Sequence, residues 1–146
     1  RLTGQDNMSQ LINLPAPDAY AFLQEHPDAV LIDVRSTVEH QFVGHPKGAV
    51  HIPWSDGFNW QRNENFVHDI EQYLTTKFPG FEAKQHPVVL MCRSGARTEK
   101  AGAALIQAGF SNVSHVSDGF EGDKDQNQHR GNINGWRFHN LPWQQS

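Results

Sequence analysis

The chain has 146 residues, a formal net charge of −4 and 37% hydrophobic residues, enough for one domain with a packed core and too little for two. Its lysines and arginines are scattered without a basic run, which removes any bulk electrostatic ground for nucleic-acid binding. No apolar stretch approaches the roughly 18 residues of a membrane span, and a single cysteine excludes an internal disulfide.

Residues 1–10 are polar and aperiodic and read as a loose N-terminal tail, followed by one domain over residues 11–146. The chain starts at Arg1 without an initiator Met. That leaves a removed signal peptide or a trimmed tag open, so a cytoplasmic location is expected with a periplasmic one as its alternative.

From Leu11 the pattern settles into a βα rhythm. Leu11 to Leu14 is a short strand candidate, and Pro17-Asp18 opens a helix carrying Tyr20, Phe22 and Leu23 that ends near His26-Pro27. The β-branched-rich run Val30-Leu31-Ile32-Asp33-Val34 predicts a strand covered on both faces. Ser36-Thr37-Val38-Glu39 fits a capping box, which places a short helix start there. Val50 lies in a further short strand that Pro53 closes. The stretch 56–87 contains a helix candidate with Phe66, Val67, Ile70, Tyr73 and Leu74 at helical spacing, stopped by Pro79-Gly80.

Val88 to Met91 is a second continuous apolar run, and it ends in Cys92. The segment Cys92-Arg93-Ser94-Gly95-Ala96-Arg97 then leads into a helix with Ala101, Ala104, Leu105 and Ala108 on its apolar face and Gly109 as its stop. Val113 to Val116 gives the last strand. This alternation predicts an α/β fold, a mainly parallel central sheet with helices on both faces. Active sites of such sheets lie at the carboxyl ends of the strands, where Cys92 and the Arg35–Glu39 segment both fall. A thiol between a buried strand and a helix N-terminus, flanked by Arg93 and Arg97, is placed for reactivity. Loop amides, the helix dipole and nearby cations each lower a thiol pKa from its free value of about 8.5.

Two segments resemble the rhodanese family in its single-domain form. The first is Leu31 to Pro53, with Asp-Val-Arg at 33–35, Glu39, and a Gly-His-x-x-Gly-Ala-x-x-Ile-Pro tail from Gly44. The second is the loop Cys92 to Arg97 with Thr98, Glu99 and the alanine-rich helix behind it. Pro46-Lys47 departs from the Ile-Pro of many members. The resemblance covers roughly residues 10–120. It implies a sulfurtransferase that needs no cofactor and no metal. Cys92 accepts a sulfane sulfur from thiosulfate or a persulfide donor, and cyanide, a small thiol or a protein thiol removes it. Arg93, Ser94, Gly95, Ala96 and Arg97 form the anion-binding loop, with Asp33 and Arg35 bracing it. No nucleic-acid or membrane partner is implied. Cdc25-type phosphatases, with their arsenate-reducing relatives, place five residues between cysteine and arginine; here there are four, a tighter cradle suited to one sulfur atom. A non-catalytic binding module of the same fold is the alternative from another class.

Nine histidines suggest metal binding, but no His-Glu-x-x-His helix or second cysteine accompanies them; His45 reads as a turn residue. The segment Gly119–Asn127 has the alternating oxygens of a calcium loop, yet Gln128 and Asn134 stand where that loop needs Gly and Glu. A surface loop is the expectation. Trp136, Phe138 and Trp143 are expected to pack the tail back onto the domain, and Trp54, Phe58 and Trp60 to pack in the core, unless one is exposed as a docking surface.

Overall fold

The computed structural model describes residues 10–146; the expected tail falls outside the described residues except for Gln10. Among the described residues nine strands and three α-helices follow one another: β1 (Ile12–Leu14), α1 (Ala16–Glu25), β2 (Val30–Asp33), β3 (His45–Pro46), β4 (Val50–His51), β5 (Ser55–Asp56), β6 (Gln61–Arg62), α2 (Phe66–Lys77), β7 (Val88–Met91), α3 (Ala96–Gln107), β8 (Val113–Val116) and β9 (Trp143–Gln144). Five of them form one sheet in the order β1-β8-β7-β2-β4, and every pair in it is parallel. The α/β fold with a parallel central sheet is as the sequence predicts.

Strands β2, β7 and β8 are buried at every position. Because side chains alternate along a strand, the sheet supplies two cores. Val30, Ile32, Val34, Val88, Leu90, Cys92 and Val113 face α2 and α3, packing on Phe66, Ile70, Leu74, Ala101 and Leu105. Leu31, Val89, Met91 and Val116 face the other way, against Ala16 and Ala19 of α1 and against Phe120 and Trp136. Each fully buried aliphatic contributes on the order of 1.5–3 kcal/mol, so the two middle strands anchor the site they end in.

Several local expectations need correction. The capping box forms: the Ser36 hydroxyl accepts from the Glu39 amide (3.2 Å), and Glu39 accepts from the Ser36 amide (3.1 Å). The helix it opens winds as a π-turn over Glu39–Val43. His45 is not a turn residue; it is buried in β3, which pairs antiparallel with β9 of the tail. Trp136 is buried and Trp143 half-buried, whereas Phe138 stays exposed. Trp54 packs edge-on against Phe66, but Phe58 is 99% exposed and Trp60 56% exposed. Both sit on an antiparallel hairpin, β5–β6, that the sequence does not announce.

Candidate active site

Cys92 follows directly on the buried Met91 of β7 and is itself 1% exposed. The chain turns at Gly95, whose φ of +105° only glycine adopts without strain. A methyl group there would run into the carbonyl oxygen of Ser117. The turn brings the Gly95 amide back to donate to the Cys92 Sγ at 3.2 Å, the type of contact that favours a sulfur anion. On its other side the loop is tied down by the segment after β8. The Phe120 amide donates to the Cys92 carbonyl (2.8 Å), and the Glu121 and Gly122 amides donate to that of Arg93 (3.0 and 3.2 Å). Gly119 fits under the loop only because it lacks a Cβ, which would meet the Arg93 carbonyl.

Within the loop Arg93 and Ala96 are exposed, Ser94 is half-buried and Gly95 is buried. Arg97 lies half-buried and binds Glu39 with both nitrogens, Nη1 to Oε1 and Nη2 to Oε2, each at 2.8 Å. Burial works against both charges. The hydrogen bonds and attraction between them outweigh it, holding the Glu39 carboxyl below its usual range and Arg97 above its own. Glu39 is therefore more than a cap. It fixes the guanidinium that begins α3, and Trp60 lies beside that guanidinium, 5.3 Å from ring centroid to Cζ.

Asp33 and Arg35, expected as a brace, form a fully buried ion pair. Arg35 Nε and Nη2 donate to the two Asp33 oxygens at 2.9 and 2.8 Å, Nη2 also serves the Gly44 carbonyl, and the guanidinium lies 4.6 Å over the Phe120 ring. Among the described residues the Arg35 Nη1 has no hydrogen-bond acceptor; the ring face offsets part of that cost. His40 donates to Asp33 at 2.7 Å. Burial alone would raise the Asp33 carboxyl, but the hydrogen bonds from His40 and Arg35 lower it to about 2. His40 is stacked between His45 and His51 at centroid distances of 3.8 and 4.5 Å. Among the described residues no group of three His, Cys, Asp or Glu side chains is arranged to hold a metal.

Sequence reasoning missed what lies beneath the sulfur. Thr98, one turn into α3, has its hydroxyl 3.6 Å from Sγ and 2.6 Å from His115 Nδ1 on β8. The Nε2 of His115 lies 2.6 Å from Asn13 Oδ1 on β1. The available signal was the alternation of β8, which puts His115 on the same core-facing side as Val113.

A parallel α/β sheet with a thiol loop at the end of its central strand defines a rhodanese-like domain, and the chain belongs to that family: the rhodanese-like domain matches residues 16–126. An uncharacterized protein of Rickettsia rickettsii is 33% identical over 139 residues, covering 90% of this chain and 96% of its own. The crystal structure of Rv0390 from M. tuberculosis superposes with a TM-score of 0.78 at 34% identity, over 94% of this chain and 100% of that one. A tRNA uridine(34) hydroxylase of Hamiltonella defensa is 39% identical over 93 residues; the match takes in 64% of this chain but 22% of the hydroxylase.

Proposed function

We propose that this protein is a sulfurtransferase carrying sulfur as a Cys92 persulfide. The Gly95 amide aimed at Sγ from a four-residue loop carries this reading. The thiolate attacks the outer sulfur of thiosulfate, an S–S bond forms to Cys92, and the S–S bond of the donor breaks with its electron pair leaving on sulfite. Cyanide or a thiolate then attacks the same sulfur, producing thiocyanate or a new persulfide and restoring the Cys92 thiolate. Splitting the transfer in this way gives double-displacement kinetics. Arg93, exposed on the loop, offers charge to the donor anion, while Arg97, held by Glu39, borders the approach. Trp60, exposed beside Arg97, and Phe58, exposed on the same hairpin, suit a protein that delivers its thiol to the site.

The similarity to a tRNA hydroxylase favours a second reading, in which the domain serves a tRNA-modifying reaction. The net charge of −4 without a basic run weighs against it.

Intact-protein mass spectrometry after brief exposure to thiosulfate tests the first reading. One sulfur atom should be gained, lost again on adding cyanide as thiocyanate appears, and never gained by Cys92→Ser. A wild-type protein that gains no sulfur from thiosulfate or from a persulfide donor, with its thiol still open to alkylation, would refute it in favour of a binding module.

A further inference from the structure

We infer that Thr98, His115 and Asn13 form a relay that takes the proton from Cys92, with His115 as the positioning residue and proton acceptor acting through the Thr98 hydroxyl. The inference rests on Cys92 working as a thiolate. The direction of each hydrogen bond follows from the partners. Asn13 Oδ1 can only accept, so the Nε2 of His115 carries a proton and donates to it at 2.6 Å. A neutral imidazole with its proton on Nε2 has a lone pair on Nδ1. The single hydroxyl proton of Thr98 then has three acceptors within reach: Nδ1 at 2.6 Å, the Gly95 carbonyl at 3.0 Å and Sγ at 3.6 Å. The shortest is Nδ1. With its proton committed there, the Thr98 oxygen presents lone pairs to the sulfur and accepts from a Cys92 S–H.

The step balances without any outside reactant. The S–H bond breaks and an O–H bond forms at Thr98; the former O–H bond breaks and an N–H bond forms at His115 Nδ1. Cys92 becomes a thiolate, His115 an imidazolium still donating to Asn13, and the new Thr98 hydroxyl is free to donate to the sulfur anion. When sulfur leaves and the thiol is restored, the proton returns by the same path.

The surroundings suit the role. His115 is 1% exposed, and burial lowers its pKa below the ordinary imidazole range, against a smaller opposing pull from Glu99. It therefore rests neutral, with the Nδ1 lone pair turned to the Thr98 hydroxyl. The charged and titratable groups facing it are Cys92, reached through Thr98, and Glu99 of α3. Its strand neighbours are neutral: Asn13 on β1 and Leu90 on β7. A buried histidine in a core-facing strand position serves packing poorly, because a leucine would fill the space without two polar atoms to satisfy.

The test is the pH–rate profile for alkylation of Cys92 by iodoacetamide, clean because the chain has one cysteine. Thr98→Val and His115→Gln should each slow alkylation about tenfold at pH 6, leave the high-pH limit unchanged, and thus move the profile up by about one unit. Thr98→Ser should restore it, and the double variant should be no slower than either single one. Asn13 is exposed on a strand, so Asn13→Ala folds and should give a smaller shift in the same direction. Nitrogen-15 NMR of the wild-type protein should show the His115 proton on Nε2. Profiles of Thr98→Val and Asn13→Ala that superimpose on wild type, effects that add in the double variant, or a resting proton on Nδ1 would overturn the relay. Alkylation needs no sulfur donor, so an intact relay in a protein that gains no sulfur would count against sulfur transfer alone.

Discussion

Removing the Asp33 carboxylate should cost the protein a large part of its stability, in a pH-dependent way. Asp33→Asn leaves Arg35 fully buried with its paired charge gone and an amide N–H facing its own N–H groups. Breaking one side of a buried ion pair costs about 3–5 kcal/mol, against a total of about 5–15 for a domain, and should lower Tm by on the order of 10 °C. The acid limb gives an independent magnitude. The carboxyl falls from 3.8 to about 2 on folding, which contributes on the order of 2 kcal/mol. Because the folded value is the lower one, the contribution is full above 3.8 and is lost as pH falls through about 2. Roughly half should be gone by pH 3. Urea unfolding of wild type and variant at pH 7 and pH 3 measures both quantities, since the other carboxylates cancel in the difference. The gap should be about 3–5 kcal/mol at pH 7 and narrower by about 1 at pH 3. A gap under about 1 kcal/mol at pH 7, or one that does not narrow, refutes the account of Asp33 as the charge that makes Arg35 tolerable. The apolar double variant Asp33→Leu/Arg35→Met should recover part of the loss, as paired removal of buried charges does elsewhere.

Two further outcomes are expected at the loop. Arg97→Ala should raise the thiosulfate KM more than it lowers kcat, because a charge beside a bound anion acts in ground and transition states alike; steady-state kinetics with the reverse split would give Arg97 a transition-state role. Gly95→Ala should destabilise by about 3 kcal/mol, from the left-handed backbone and the overlap with the Ser117 carbonyl, and transfer should fall more than tenfold. The control Gly57→Ala, with positive φ but no described atom within 4 Å, should lose only about 1 kcal/mol and keep its activity; equal losses in the two variants would show that close packing against Ser117, just after β8, is not what Gly95 serves.

How much of this was legible depended on how local the physics is. β2 and β7 were readable because they are buried on both faces, and burial writes itself as an unbroken apolar run. The capping box was readable because its two hydrogen bonds lie within four residues, but nothing in Ser36–Glu39 states that the turn beyond winds as π instead of α. The hairpin β5–β6 has polar strands of two residues each, too short for any period. Phe58 and Trp60 looked like core because composition alone does not say on which side of a turn an aromatic falls. Glu39 could be seen as a cap and Arg97 as a loop cation, yet their pairing spans 58 positions, and only the sheet order brings them together.

The relay illustrates the same limit from the functional side. His115 to Thr98 is 17 positions and His115 to Asn13 is 102, and the second contact exists only because β1 lies next to β8 in parallel register. Cys92 announced itself through its neighbours, while the groups that would handle its proton sit on two other elements and look unremarkable where they stand in the chain. The sheet therefore does two separate jobs at its carboxyl edge. The amides of residues 120–122 hold the carbonyl side of the loop, which leaves the Gly95 amide turned toward the sulfur, and β8 and β1 bring an acceptor in beneath it. A loop transplanted without that edge would keep its cysteine, its glycine and its arginines. It would lack both the frame that aims the amide and the proposed base, so on this reading the sheet would contribute as much to the reactivity of Cys92 as the loop.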